Sequence, residues 1–151
     1  LMTTPVLYVI DTNSIIAYFN RVFTTEQQLS KRATKILESA INPRETSTKI
    51  SISSVVFVEI FEKWFRDEEF ARKFYYEVFV PISESPNVEI KPIDREVFQE
   101  LFSIGGELES HDLHDKIVLA SAISLCCGLI TTDEKLTRYI VRTQIIPEVI
   151  C

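Results

Sequence analysis

An almost uncharged helical segment followed at once by a strand is the feature that most restricts the fold of this chain. Residues 116–127 read KIVLASAISLCC, with a charge only at Lys116 and several small side chains in the interior. A helix that is apolar on nearly all sides is buried, and its small residues allow a close approach to a sheet. Gly128 is placed to end this helix, and the apolar run Leu129–Thr131 then predicts a buried strand.

Strand and helix patterns alternate along the rest of the chain. Strands are predicted over Val6–Ile10, Lys49–Ser53, Val88–Ile93, Leu129–Thr131 and Ile145–Ile150. Helices are predicted over Ile15–Phe19, Thr25–Ala40, Val55–Phe65, Asp67–Phe79, Asp94–Ile104 and His114–Cys127, with a final short helix after Thr131. Pro81 is expected to end the helix before it, and Pro147 favours an edge position for the last strand. The alternation predicts an α/β fold with a mostly parallel central sheet of four to five strands, in a single domain over residues 1–151.

Short motifs mark several helix ends. Thr25 with Gln28, and Thr131 with Glu134, have the spacing of capping boxes. These pairs predict helices that begin directly after the two threonines. The pair Gly105–Gly106 is typical of a helix end, because glycine adopts the backbone conformations that stop a helix.

Acidic residues stand where the predicted strands end, and ligands of parallel sheets bind at this edge. Asp11 directly follows the first strand, and Asp133 comes two residues after the LIT strand. Glu59 interrupts an apolar helical face, where a carboxylate is not expected to be buried unpaired. Asp115 begins the apolar helix, where the helix dipole favours a negative charge. Taken singly, Asp115 also fits a helix cap, and Glu59 also fits an ion-pair partner or an exposed position.

Together, these four acids predict a divalent metal site. Hard cations such as Mg²⁺ and Mn²⁺ prefer oxygen ligands, polarise phosphate groups and turn bound water into hydroxide near neutral pH. Clustered carboxylates repel one another when no cation is present, and this repulsion favours metal binding. The net charge of −6, from 16 Lys and Arg against 22 Asp and Glu, excludes a general polyanion binder. Contact with a nucleic acid is therefore expected to be local or assisted by bound cations.

Three segments form a recognisable combination. They are residues 6–19 (VLYVIDTNSIIAYF), 51–60 (SISSVVFVEI) and 113–136 (LHDKIVLASAISLCCGLITTDEKL). In this order they resemble the PIN-domain ribonucleases, in particular the VapC-like toxins of toxin–antitoxin pairs. The resemblance implies a PIN-like three-layer α/β/α fold and a Mg²⁺- or Mn²⁺-dependent acidic site. It also implies an endoribonuclease that hydrolyses phosphodiester bonds in single-stranded regions of RNA.

The resemblance also implies roles for individual residues. The family's four metal-binding and catalytic acids are matched by Asp11, Glu59, Asp115 and Asp133. Polar residues that would support them are Thr12, Asn13, Ser53 and Thr131. Lys116 stands where arginine is common, so a phosphate contact there would lack a bidentate fork. Basic residues that could line the rim for RNA are Lys116, Lys135, Arg138 and Arg142, although each also fits a solvated surface.

Other candidate sites and functions remain open at this point. His111 and His114 have the spacing of a zinc pair, although no third soft ligand is near in sequence. Asp112 is a candidate auxiliary metal ligand. An aspartyl-phosphate phosphatase would need a second aspartate at position 13, where Asn13 stands. An RNA-processing nuclease or a degenerate binding module would share the PIN-like fold, but the presence of all four acids argues against degeneration.

Aromatic side chains are in excess on two consecutive predicted helices. They are Phe57, Phe61, Trp64, Phe65, Tyr75, Tyr76 and Phe79. Core packing explains most of them, and the surplus predicts a homodimer face or a groove for an apolar helix of a small antitoxin, expected near Phe61, Trp64 and Phe65. Two adjacent cysteines and a terminal one form no disulfide framework, which favours a reducing, cytoplasmic location. No apolar run is long enough to cross a membrane.

Overall fold

The computed structural model describes residues 5–42, 48–104 and 106–151. Within these ranges five strands form one sheet: β1 Val6–Ile10, β2 Thr48–Ser53, β3 Val88–Lys91, β4 Gly128–Ile130 and β5 Val149–Ile150. The strand order is β3-β2-β1-β4-β5, and every neighbouring pair is parallel. The predicted α/β class and parallel sheet are confirmed. The two-residue β5 lies at the sheet edge and begins after Pro147. Proline has no N–H to donate to a neighbouring strand, which explains its place outside the strand.

Helices make the connections between the strands. They are α1 Thr12–Tyr18, α2 Asn20–Phe23, α3 Lys31–Ile41, α4 Ser54–Lys63, α5 Glu68–Phe74, a π-helical turn Tyr75–Phe79, α6 Val80–Glu84, α7 Arg95–Ser103, a 3₁₀ turn Gly106–Leu108, α8 Leu113–Leu125 and α9 Glu134–Thr143. The strand order changes direction at β1. Because crossovers between parallel strands are right-handed, helices after β1 and β2 cover one face and helices after β3 and β4 cover the other. The result is the predicted three-layer α/β/α arrangement.

The apolar helix α8 packs on the centre of the sheet, against β1, β2 and β4. Its residues Ile117–Ala122 are all buried, as the uncharged sequence predicts. Ser121 satisfies its buried hydroxyl by donating to the carbonyl of Ile117 at 2.9 Å. None of the helices in the described part of the chain is long and apolar enough to cross a bilayer.

Two helices begin at residues other than the predicted threonines. Ser30 caps α3 by accepting from the Ala33 N–H at 3.2 Å, so the helix begins at Lys31 and the segment after Thr25 is not helical. Asp133 caps α9, which begins at Glu134, because its carboxylate accepts from a backbone N–H of the first turn. In both cases a nearby side chain offers a better-placed oxygen than the threonine.

Two helix ends also differ from the prediction. Pro81 does not end the helical segment, because it lies at the start of α6, directly after the π-helical turn Tyr75–Phe79, and the chain stays helical through it. Cys126 in the left-handed region, with φ of 52°, ends α8, and Gly128 begins β4 instead. A Cβ at Gly128 would lie 3.1 Å from Cδ1 of Tyr8, so glycine permits the close approach of β4 to β1. Gly105 lies outside the described residues.

Candidate metal centre

The candidate site lies where the strand order reverses, at the carboxyl ends of β1 and β4. Asp11 directly follows β1, and Asp133 follows β4. Glu59 on α4 and Asp115 in the first turn of α8 reach the same place from two helices that contact each other. The structure therefore brings together the four acids that the sequence analysis selected.

Asp11 is held rigidly in the interior. It is 5 % exposed, and its Oδ1 accepts from the Ser14 N–H at 2.8 Å, which caps α1. Its Oδ2 accepts from the Thr131 hydroxyl at 2.5 Å. Burial raises the pKa of Asp11, the bonds from Ser14 and Thr131 oppose that rise, and the charge of Asp133 adds to it. Asp11 is thus a fixed carboxylate at the end of the central strand.

A polar chain connects Asp11 with the end of β4. The buried Thr131 hydroxyl accepts from the Asp133 N–H at 3.1 Å while it donates to Asp11. The two carboxylate oxygens of Asp133 have separate partners: Oδ1 accepts from the Leu136 N–H at 2.9 Å, and Oδ2 lies 3.0 Å from Nε2 of His111. Thr131 and His111 therefore fix the positions of two candidate metal ligands.

Glu59 belongs to a second group of contacts. Its Oε2 accepts from Nζ of Lys63 at 2.7 Å, and its Oε1 is buried and has no partner among the described residues. Nζ of Lys63 also lies 3.3 Å from Oδ2 of Asp112, while Oδ1 of Asp112 lies 2.9 Å from Nδ1 of His114. The bond to Glu59 raises the pKa of Lys63, and the His114 N–H lowers the pKa of Asp112. A cation is therefore already in contact with two carboxylates of the site.

The charges of the other acids affect the pKa of Asp115. Its pKa is raised to about 6, chiefly because burial disfavours the charged carboxylate. Negative charge on three other acids contributes to the same rise: Glu59, Asp11 and Asp133. The sequence analysis places Asp115 at the start of α8, but Asp112 is the N-cap and Asp115 follows within the first turn. In this position Asp115 lines the cleft, while Asp112 caps the start of the helix.

An open cleft of about 310 Å³ lies beside Glu59 and Asp115. Its lining includes Thr12, Asn13, Glu59, Asp112 and Asp115. At roughly 30 Å³ per water, this volume accommodates a hydrated divalent ion and a phosphodiester group. The donors are hard carboxylate oxygens with nearby imidazoles, and the bare Oε1 of Glu59 is a buried acceptor that needs a positive partner. The residues therefore fit a divalent metal.

The supporting residues have different positions. Thr12 and Asn13 line the cleft, and Thr131 bonds directly to Asp11. Ser53 acts locally, because its hydroxyl accepts from the Val55 N–H at 3.3 Å and caps the helix that carries Glu59.

The basic residues that were predicted to line the rim bond elsewhere. Lys116 donates to the Glu109 carbonyl, Lys135 donates to Ser110, Arg138 pairs with Glu134, and Arg142 pairs with Glu107. The cleft is instead lined by Lys63 and Arg66, which the sequence analysis missed. The position of Lys63, one helical turn after Glu59, is the sequence feature that could have predicted its contact with the site.

The two histidines do not form a zinc pair. His111 groups with Asp115 and Asp133, whereas His114 groups with Glu59 and Asp112, and within each group the ligand atoms lie within 4.8 Å of one another. Each imidazole therefore stands beside two carboxylates in a separate triad. Asp112 lines the same cleft as Glu59 and Asp115.

Known proteins share this architecture. VapBC2 from Rickettsia felis, solved with a DNA fragment from its promoter, matches at 18 % identity over 95 % of this chain and 96 % of that one, with a TM-score of 0.62. FitAcB from Neisseria gonorrhoeae matches at 15 % identity over 95 % of this chain and 96 % of that one, with a TM-score of 0.63. The PIN domain endonuclease Utp24 matches at 17 % identity over 97 % of this chain and 86 % of that one, with a TM-score of 0.52. These TM-scores establish a shared fold.

A search among curated protein sequences found no similar relative. The PIN domain family model, however, matches residues 8–141, which include all four acids and the elements that carry them. The family model matches most of the chain, and the strand order reverses where these acids lie. The chain therefore belongs to the PIN domain family.

Proposed function

We propose that this protein is a Mg²⁺- or Mn²⁺-dependent endoribonuclease that hydrolyses phosphodiester bonds in single-stranded regions of RNA, and that it acts as the toxin of a toxin–antitoxin pair. One observation carries the nuclease proposal: Asp115 and Glu59 line an open cleft, and the charges of Glu59, Asp11 and Asp133 all act on Asp115. The Oε1 of Glu59 is buried there and has no partner among the described residues. Membership of a nuclease family supports the same reaction.

In this proposal Asp11, Glu59, Asp115 and Asp133 hold the metal. The bound ion would polarise the phosphate and supply hydroxide as the nucleophile. Thr131 keeps Asp11 in place through its short hydrogen bond, and a carboxylate fixed in this way loses no freedom when it binds. Asp115 must be ionised to hold a cation, and its pKa is raised to about 6, so metal binding would weaken as the pH falls below this value.

The purified protein is expected to cleave single-stranded RNA only when Mg²⁺ or Mn²⁺ is present. Cleavage of a labelled RNA would be followed in EDTA and after excess metal is restored. A duplex of the same sequence serves as the matched substrate and is expected to resist cleavage. Activity that persists in EDTA would contradict the metal mechanism.

An apolar groove supports the proposed antitoxin partner. It has a volume of about 220 Å³ and is lined by Phe57, Phe61, Phe65, Ala71, Phe74, Tyr75 and Phe79. Phe61 and Tyr75 remain about half exposed, although most of their neighbours are packed in the core. Trp64 turns away from this surface and packs edge-on against Phe23 at 5.3 Å. The apolar face of a short antitoxin helix fits such a groove.

A second apolar surface supports the proposed homodimer. Phe98 and Phe102 lie one turn apart on α7 and are 52 % and 91 % exposed. Pairing of two copies of this surface would remove both rings from water. The proposed reaction takes place in the cytoplasm, where the three free thiols stay reduced.

Two variants should separate these surfaces. Phe61→Asp is expected to lose binding to the proposed antitoxin while remaining a dimer, because it places a charge in the apolar groove. Phe102→Asp is expected to become a monomer and keep antitoxin binding. Co-expression with the antitoxin and light scattering measure the two properties. Loss of both properties in either variant would contradict the assignment of two separate surfaces.

A further inference from the structure

The ammonium group of Lys63 occupies part of the candidate metal site. Nζ lies 2.7 Å from Oε2 of Glu59 and 3.3 Å from Oδ2 of Asp112. Glu59 is one helical turn earlier on α4, whereas Asp112 is the N-cap of α8. Lys63 thus joins two elements through carboxylates that would otherwise repel each other.

The contacts of Lys63 fall on only one of the two possible ligand groups. Lys63 touches both carboxylates of the triad Glu59, Asp112 and His114. In the other triad, no lysine or arginine among the described residues forms an ion pair with Asp115 or Asp133. One half of the site therefore contains a cation that belongs to the protein, and the other half is free to receive one.

We propose that Lys63 takes the place of a second divalent cation, so that the site binds a single metal ion on the side of His111, Asp115 and Asp133. This inference rests on the proposed metal-dependent function. The ammonium bonded to Glu59 and Asp112 supplies one positive charge to the carboxylates that a second ion would need. Lys63 engages only Oε2 of Glu59, so the buried Oε1 remains available to the single ion.

An ordinary surface ion pair would not have this geometry. Lys73 and Glu69 have the same i,i+4 spacing on α5, but they are 3.8 Å apart and the Glu69 side chain is 78 % exposed. The Glu59 side chain is 10 % exposed and the Lys63 side chain 50 %, so the carboxylate end of this pair is shielded from water. Lys73 therefore offers a matched control for the loss of a lysine.

Titration of the metal-free protein with Mn²⁺ tests the proposal, with stoichiometry measured by calorimetry and by the EPR signal of free Mn²⁺. The wild type, Lys63→Arg and Lys73→Met are each expected to bind one Mn²⁺ per chain. Lys63→Met, which keeps the length and removes the charge, is expected to bind two. Lys63→Gln should also bind two, and it provides the measurement if Lys63→Met does not fold.

The outcomes separate this proposal from the nuclease proposal. Two Mn²⁺ ions in the wild type, or one in both Lys63→Met and Lys63→Gln, would overturn the role of Lys63 and leave the metal-dependent nuclease intact. Absence of Mn²⁺ binding in every protein would overturn the proposed function as well.

Discussion

The Asp11→Asn variant is expected to lose RNA cleavage by on the order of a hundredfold or more while it folds as stably as the parent protein. Asparagine keeps an oxygen for the Ser14 N–H and is as good an N-cap as aspartate. The Thr131 hydroxyl can rotate to accept from the new amide. Removal of one of four mutually repelling charges also favours the metal-free fold. The Asp11→Asn variant is therefore expected to lose metal binding and RNA cleavage, and to keep its stability.

Thermal melts in EDTA and in Mn²⁺ provide the second measurement for this variant. Mn²⁺ should raise the Tm of the parent protein, because the ion binds the folded state, and should raise the Tm of Asp11→Asn less. Asp67→Asn is the matched control, since Asp67 caps α5 by accepting from the Phe70 N–H at 2.8 Å and lies outside the cleft. A stability loss of about 0.5–2 kcal/mol with full cleavage would mean that Asp11 is only a helix cap.

The strands and the convergence of the acids were predictable because both follow from local patterns and a general rule. β1 and β4 are apolar runs, and an acid after a parallel strand lies at the ligand-binding edge. This rule alone places Asp11 and Asp133 together once the sheet is known to be parallel. The burial of α8 was predictable for a similar reason, since twelve residues with one charge have no solvent-facing side.

The exact helix starts and the partners of the site residues were not predictable from local patterns. Ser30 and Asp133 displaced the expected threonine caps, because several adjacent polar residues competed for the same N–H groups. The contact between His111 and Asp133 spans 22 residues, and the contact between Lys63 and Asp112 spans 49. Such pairs form only when the strand order brings α4, α8 and β4 together. Spacing in the sequence carries no information about them.

The metal-free protein is expected to become more stable as the pH falls from 7 to 5, by about 1 kcal/mol, or about 3 °C in Tm. The pKa of Asp115 is raised from an ordinary 3.8 to about 6, so the folded state binds a proton more readily than the unfolded state in this range. Stability therefore decreases as pH rises through this interval. Because Asp115 is partly solvated, the effect is smaller than a fully buried group would give.

Comparison of the parent protein with Asp115→Asn in EDTA isolates this contribution, since the variant lacks the titrating carboxyl and should show a flatter pH dependence with higher stability at pH 7. Asp94 and Asp112, whose pKa values are lowered, act with the opposite sign and only near or below pH 4. Saturating Mn²⁺ should reverse the sign in the parent protein, because protons then compete with the metal for the same oxygens. Identical pH profiles for the two metal-free proteins would show that the pKa of Asp115 is not raised, and would contradict both its burial and its closeness to the other three acids.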